Sequence, residues 1–254
     1  MLAKERLATM HKMILTNKSV TIDELVQMFN VTPMTIRRDL DKLSEMDPSV
    51  VRCHGGAVLA TEVNSEENFE KKQALNVDKK KSIAAKAFEM ISDHDTIYLD
   101  AGTTVLELAK LIAASNLTLT VVTNDLETSN LLIPSKSEVL LTGGSIQKST
   151  RCLVGTFAEE MISKMRFKVA FMGATAINEN YEVLTPSVEK RTMKPAVLRS
   201  AVKSYLLADE DKFSKYSTYV IYSLQDFTGV ITTRKFTRGE QAALDEAGAT
   251  IIHT

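Results

Sequence analysis

With 254 residues, 44% of them hydrophobic and 25% charged, the chain is long enough for two ordinary domains and has the composition of a soluble globular protein, not a disordered or fibrous one. A net charge of −1 excludes a non-specific polycationic coat for nucleic acid, and the two cysteines, Cys53 and Cys152, lie too far apart for a metal-ligand spacing or a disulfide framework. No run of about 18 apolar residues occurs and the first residues are charged, so a cytoplasmic protein with no membrane partner, no metal and no cofactor is expected.

Residues 3–16 place Leu7, Met10, Ile14 and Leu15 at helical spacing. A second helix starts at Thr21, whose spacing to Glu24 is that of a capping box, and runs to about Asn30 with Leu25, Met28 and Phe29 as its apolar stripe. After a very short turn, Thr32 is a natural N-cap and Pro33 suits a first helical position, which needs no backbone donor. The third helix, over 34–43, puts Ile36, Leu40 and Leu43 on one face and leaves Thr35, Arg37, Arg38 and Lys42 on others. Two β-prone runs around Gly55-Gly56 then read as a hairpin, which makes residues 1–59 a winged helix-turn-helix. This region holds 8 Lys+Arg against 7 Asp+Glu, the balance of a sequence reader that concentrates a few cations on one helix.

Residues 60–78 are polar, without sustained periodicity, and read as a linker. Over 79–254 helix and strand patterns alternate. Helices are predicted over 79–91, 105–114, 126–132, 156–165, 188–202 and 237–247, and strands over 96–99, 117–122, 138–141, 168–172, 205–208, 218–222 and 249–252. Several strands are nearly continuous apolar runs, as expected when both faces are covered, so the second domain is an α/β unit with a largely parallel sheet.

The strand over 96–99 runs directly into Asp100-Ala101-Gly102-Thr103-Thr104 and then a helix, with Thr104 and Glu107 spaced as a capping box. Such a junction aims free amides and the positive end of a helix dipole at one point, and the glycine and hydroxyls suit a phosphate. Later strand ends bring Thr123-Asn124, Gly143-Gly144 and the pair Asp209 and Lys212 to the same sheet edge, where open α/β sheets bind ligands. Taken singly, each is also what an ordinary cap or turn looks like.

The run Thr32-Pro33-Met34-Thr35-Ile36-Arg37-Arg38-Asp39-Leu40, with Arg52-Cys53-His54-Gly55-Gly56-Ala57, closely resembles the DeoR family of bacterial repressors. Asp100 to Thr104, Thr123-Asn124, Gly143-Gly144 and Ala208-Asp209-Glu210-Asp211-Lys212-Phe213 resemble that family's sensor half, which is similar in fold to ribose-phosphate isomerases, glucosamine-phosphate isomerases and CoA transferases. The resemblance implies that Thr32, Thr35, Arg37, Arg38, Arg52 and His54 meet double-stranded operator DNA. It further implies that the loop from Asp100 to Thr104 cradles the phosphate of a sugar effector, with Lys194, Asp209 and Lys212 lining the pocket. A competing reading pairs Arg37 and Arg38 with Asp39 or Asp41 on a solvated helix.

A repressor released by a phosphorylated sugar and working as a homo-oligomer, dimer or tetramer, is therefore the expected function; the chain is not expected to be an enzyme. The rival is an active sugar-phosphate isomerase with an appended DNA-binding domain, in which Asp100 or Asp209 would act as base. None of His11, His54, His94 and His253 falls in a plausible catalytic loop.

Overall fold

The computed structural model describes residues 3–17, 19–47, 49–53, 55–59, 61–63 and 66–254. At the N-terminus, α1 (Ala3–Asn17), α2 (Ile22–Phe29) and α3 (Pro33–Met46) enclose a small core of Met10, Ile14, Leu25, Ile36, Leu40 and Leu43. Thr21 caps α2 in the predicted capping box, and Asn30 ends that helix in the left-handed conformation. Leu15 and Met28, both expected in apolar stripes, are exposed. A strand that the periodicity did not announce, β1 (Ser19–Thr21), joins β2 (Val50–Cys53) and β3 (Gly56–Leu59) in an antiparallel sheet of order β1-β3-β2. Thr21 faces Gly56 there, and a Cβ on Gly56 would lie 1.9 Å from the Val20 carbonyl oxygen, so only glycine permits this approach.

Residues 60–78 are not featureless. They contain β4 (Thr61–Val63) and the short α4 (Phe69–Ala74), whose single buried aromatic, Phe69, joins the core of the second domain. One turn of helix is too short to show a 3.6-residue period, which is why the sequence pattern missed it.

The second domain follows as α5 (Val77–Phe88), β5 (Thr96–Leu99), α6 (Thr103–Ala114), β6 (Thr120–Thr123), α7 (Leu126–Leu132), β7 (Glu138–Leu141), β8 (Ser145–Gln147), β9 (Cys152–Val154) and α8 (Thr156–Ser163). The chain continues through β10 (Phe167–Gly173), β11 (Ala176–Ile177), β12 (Glu182–Thr185), α9 (Val188–Ser200), β13 (Ala201–Ala208), β14 (Lys215–Ser217) and β15 (Tyr219–Ser223). It ends with β16 (Gly229–Thr232), α10 (Arg238–Glu246) and β17 (Ile251–His253). Seven strands form one sheet of order β17-β16-β13-β10-β5-β6-β7, with every neighbouring pair parallel. Side chains alternate between two cores: Tyr98, Ala170, Met172 and Leu206 on one face with α8, α9 and α10, and Ile97, Leu99, Val169 and Phe171 on the other with α5 and α6.

One expected strand lies outside the main sheet, and one strand of that sheet was not expected. The segment over 218–222 is β15, which pairs antiparallel with β12 in a side sheet, while β16, unrecognised in the sequence, is fully buried in the main sheet. Only two apolar residues, Val230 and Ile231, mark β16, too few for a period. The helix expected to reach 202 stops at Ser200, and β13 begins at once at Ala201.

From β5 the chain builds outward through β6 and β7, then returns to place β10 on the other side of β5. The carboxyl ends of β5 and β10 thus flank a topological switch point, where an open sheet leaves a crevice.

Candidate functional site

Two sites take shape. In the first, Thr32 caps α3, its Oγ1 accepting from the Thr35 amide at 3.3 Å. Ile36, Asp39, Leu40 and Leu43 turn inward, and Arg6 Nε donates to Asp39 Oδ2 at 2.7 Å, an interior pair that locks α1 onto α3. Arg52 Nε donates to Asp41 Oδ1 at 2.8 Å and its Nη1 to the Gly56 carbonyl at 2.5 Å, which ties the wing to the same helix. Both carboxylates that could have neutralised Arg37 and Arg38 are therefore occupied. The two arginines stand exposed, and neither forms an ion pair among the described residues. Thr35 lies half-buried beside them, while His54 lies outside the described residues.

The second site is a cleft at the switch point, lined by the loop from Ala101 to Val105 after β5 and by Gly173 to Thr175 at the end of β10. Gly102 occupies the N-cap of α6 and no side chain caps the helix, so its first-turn amides remain for a ligand. The capping box expected between Thr104 and Glu107 does not form. The helix starts two residues earlier, so Thr104 sits inside the first turn as part of the cleft wall, and Glu107 accepts from Lys110 at 2.6 Å.

Among the sequence candidates, Gly102, Thr103, Thr104, Lys194 and Lys212 line this cleft. Asp100 lies just behind it, fully buried, with Oδ2 accepting from the Gly173 amide at 2.9 Å and from the Lys194 ammonium, whose Nζ also donates to the Gly173 carbonyl at 3.1 Å. The others are not brought into the cleft. Thr123 Oγ1 donates to the Leu99 carbonyl at 2.7 Å, and Asn124 Oδ1 accepts from the Ala101 amide at 3.1 Å, so this pair braces the loop from behind. Gly143 and Gly144 form an exposed turn into β8; Gly144 has φ of +126° and no room for a Cβ, which would lie 2.5 Å from the Val154 oxygen. Asp209 lines not this cleft but a pocket beside it that shares Lys72 and Lys212; its Oδ1 accepts from the Asp211 amide at 3.0 Å and from Asn76 at 3.3 Å, and its buried Oδ2 has no partner among the described residues.

Sequence reasoning missed Glu66, Phe69, Lys72 and Lys190, all of which line the cleft. Glu66 is held at both oxygens, Oε1 by Lys190 Nζ at 2.8 Å and Oε2 by Lys72 Nζ at 3.0 Å. Burial would raise the Glu66 carboxyl, but Lys190 and then Lys72 overrule it and hold it down to about 2. Lys190 is itself buried, which alone would lower its pKa; Glu66 more than compensates and raises it. Around the cleft, the four ammonium groups of Lys72, Lys190, Lys194 and Lys212 thus face the two carboxylates of Glu66 and Asp100, and Lys212 forms no ion pair among the described residues. The excess of two positive charges is what a small dianion would match.

Comparison with known proteins covers both parts of the chain. The DeoR-like helix-turn-helix domain matches residues 6–63, and the DeoR C terminal sensor domain matches residues 75–234. An uncharacterized HTH-type transcriptional regulator of Haemophilus influenzae is 35% identical over 247 residues, 97% of this chain and 95% of that protein. The lactose phosphotransferase system repressor of Lactococcus lactis is 35% identical over 216 residues, 84% of each chain, and the HTH-type transcriptional regulator IolR of Bacillus subtilis is 33% identical over 230 residues, 90% of each. Among solved structures, ribose 5-phosphate isomerase A of Methanocaldococcus jannaschii shares 18% identity at a TM-score of 0.40, over 54% of this chain and 55% of that one. The sensor match spans more than half of the sequence and relatives above 30% identity run along most of it, so the chain belongs to the DeoR family of DNA-binding transcription regulators.

Proposed function

We propose that this regulator is a repressor of carbohydrate genes whose hold on operator DNA is released by a phosphorylated sugar. The observation that carries the reading is the excess of two ammonium groups over carboxylates around an uncapped helix N-terminus at the switch point. A phosphate monoester dianion matches that charge, and the hydroxyls of Thr103, Thr104 and Thr175 suit the polyol attached to it. The name of the Lactococcus relative, a lactose phosphotransferase system repressor, supports carbohydrate control.

Arg37, Arg38 and Thr35 read the major groove from α3, while Thr32 shapes its first turn. A single recognition helix covers few base pairs, so the working form is a homo-oligomer that presents two heads at a fixed spacing. The isomerase reading is weaker because neither candidate base lines the cleft: Asp100 lies behind it, bound to Lys194, and Asp209 lies in the pocket beside it.

Thermal-shift screening of phosphorylated sugars against their unphosphorylated parents tests the reading, since a ligand that binds only the folded state raises its apparent stability. The expected result is a shift with one or a few phosphates and none with the parents, and the same phosphates then weaken operator binding. Equal shifts from parent sugars, or turnover of the phosphate that binds, would refute it.

A further inference from the structure

Glu66 belongs to the chain segment that joins the two domains in sequence, yet its carboxylate sits inside the effector cleft. Its side chain is only 5% exposed and both of its oxygens are spent on cleft lysines. Thr185 Oγ1 adds a third donor to Oε1 at 3.4 Å. The rest of the segment is fastened nearby: the Phe69 amide donates to the Ser149 carbonyl at 2.9 Å, Arg151 lies over the Phe69 ring at 5.0 Å, and Arg151 also pairs with Glu70. Upstream, β4 pairs in parallel with β14, which begins three residues after Lys212. The connection from the DNA-reading head is therefore built into the wall of the cleft.

We propose that Glu66 is an internal stand-in for the effector's anion, and that a phosphate monoester binds by taking Lys72 and Lys190 from it, which releases residues 66–74 from the sensor. This rests on the phosphate reading of the cleft and says how occupancy reaches the head. A phosphate dianion carries twice the charge of a carboxylate and offers three acceptor oxygens, so it is the stronger partner for two adjacent ammonium groups. Once both lysines turn to it, the Glu66 carboxylate would be a buried charge without a partner, and leaving that interior is the cheaper course. Its departure pulls on Phe69 and the segment before it. Linkage then makes the effect reciprocal: whatever holds 66–74 in place, operator DNA included, weakens phosphate binding by the same factor.

The alternative is that Glu66 stays and accepts hydrogen bonds from the sugar hydroxyls, and the two readings predict opposite results. The test uses the full chain with inorganic phosphate as the probe. Amide hydrogen exchange reads the segment through the Phe69 amide, held by Ser149, and the Lys72 amide, held by the Asn68 carbonyl at 3.1 Å. Saturating phosphate is expected to speed exchange at these amides at least tenfold. In calorimetry, Glu66→Gln, which removes the competing charge but keeps the shape, is expected to bind phosphate at least tenfold more tightly than the wild type. Unchanged or slower exchange in the saturated wild-type protein overturns the proposal without recourse to any variant, and so does weaker phosphate binding by Glu66→Gln. Failure of both proteins to bind phosphate would instead bring down the phosphate reading beneath it.

Discussion

Arg37 and Arg38 on α3 stand exposed and without an ion pair among the described residues, whereas Lys190 and Lys194 on α9 are buried and each is bound to a carboxylate. On the proposed reading both are cations that meet phosphate, handled in opposite ways because the targets differ. DNA is a large polyanion that comes to the protein surface, and cations that meet it gain most from release of its counterions. A small dianion must be drawn out of water into a cleft, where cations are stronger partners but need internal carboxylates to remain charged while the cleft is empty. The head therefore spends its acids, Asp39 and Asp41, on its own architecture, and the sensor spends Glu66 and Asp100 on its lysines.

The largest effect expected from this contrast is in the sensor. Lys194→Met leaves Asp100, fully buried and with Oδ1 already lacking a partner, as an unneutralised charge. Breaking such a pair from one side costs about 3–5 kcal/mol, measurable by urea unfolding, and adding Asp100→Asn to the same chain should recover most of the loss. A loss no greater than that of a surface pair would show that the cleft is wetter than its geometry indicates.

The next effect is in pH dependence, where two carboxyls, one in each region, carry opposite signs. Burial, ahead of the hydrogen bonds from Thr128 and Glu127, pushes the Asp125 carboxyl in the sensor up from 3.8 to about 6. Between those values the folded state holds the proton more tightly than the unfolded one, so this group costs stability as pH rises from about 4 to 6. Asp125→Asn keeps the cap on α7 and should be more stable than the wild type at pH 7, by roughly 2–3 kcal/mol, with the gain vanishing below pH 4. In the head, hydrogen bonds from Ser49 and His11 hold Asp47 down at about 2, so its contribution is present at neutral pH and is lost only as pH falls toward 2. Thermal unfolding of Asp125→Asn and wild type across this range checks the sign, and an advantage that grows toward low pH would contradict the buried-acid picture.

In the head, Arg37→Ala and Arg38→Ala should leave stability within about 0.5 kcal/mol of wild type, since neither side chain is paired or buried. Operator binding should weaken by about 1–3 kcal/mol for an arginine on a base edge, with relaxed specificity, or uniformly with a salt slope lower by about 1 for one on a phosphate. Operator titrations at several salt concentrations separate these outcomes, and wild-type binding by both variants would remove α3 from the reading surface.

How much of this was legible in the sequence follows the same division. The head could be read almost whole because its signals are local: the Thr21 to Glu24 box, the Thr32-Pro33 start and the Gly-Gly hairpin each lie within a few residues. The loop between β5 and α6 and the parallel sheet were legible for the same reason, through a glycine between a strand and a helix and through apolar runs. What escaped was long-range. Glu66 and Lys190 are 124 positions apart, and a polar stretch without periodicity gives no sign that its carboxylate will dock in a cleft. Thr123, Asn124 and the Gly143-Gly144 turn do sit at strand ends, but sequence position does not say whether a side chain faces the cleft or braces its loop from behind.

Arg52 offers the finest test because it lies between the two modes. It is a head arginine, half-buried, but already paired with Asp41 and bonded to the Gly56 carbonyl. A partly exposed pair of this kind contributes about 0.2–1 kcal/mol, so Arg52→Gln should change unfolding only slightly. Its effect on DNA binding should act through the wing's position alone. If the guanidinium stays with Asp41 in the complex, no DNA counterion is released on its account, and Arg52→Gln should weaken operator binding modestly while leaving the salt slope at the wild-type value. A slope lower by about 1, the signature of a lost phosphate contact, would mean that the pair opens when DNA arrives and that Arg52 belongs with Arg37 and Arg38 on the reading surface.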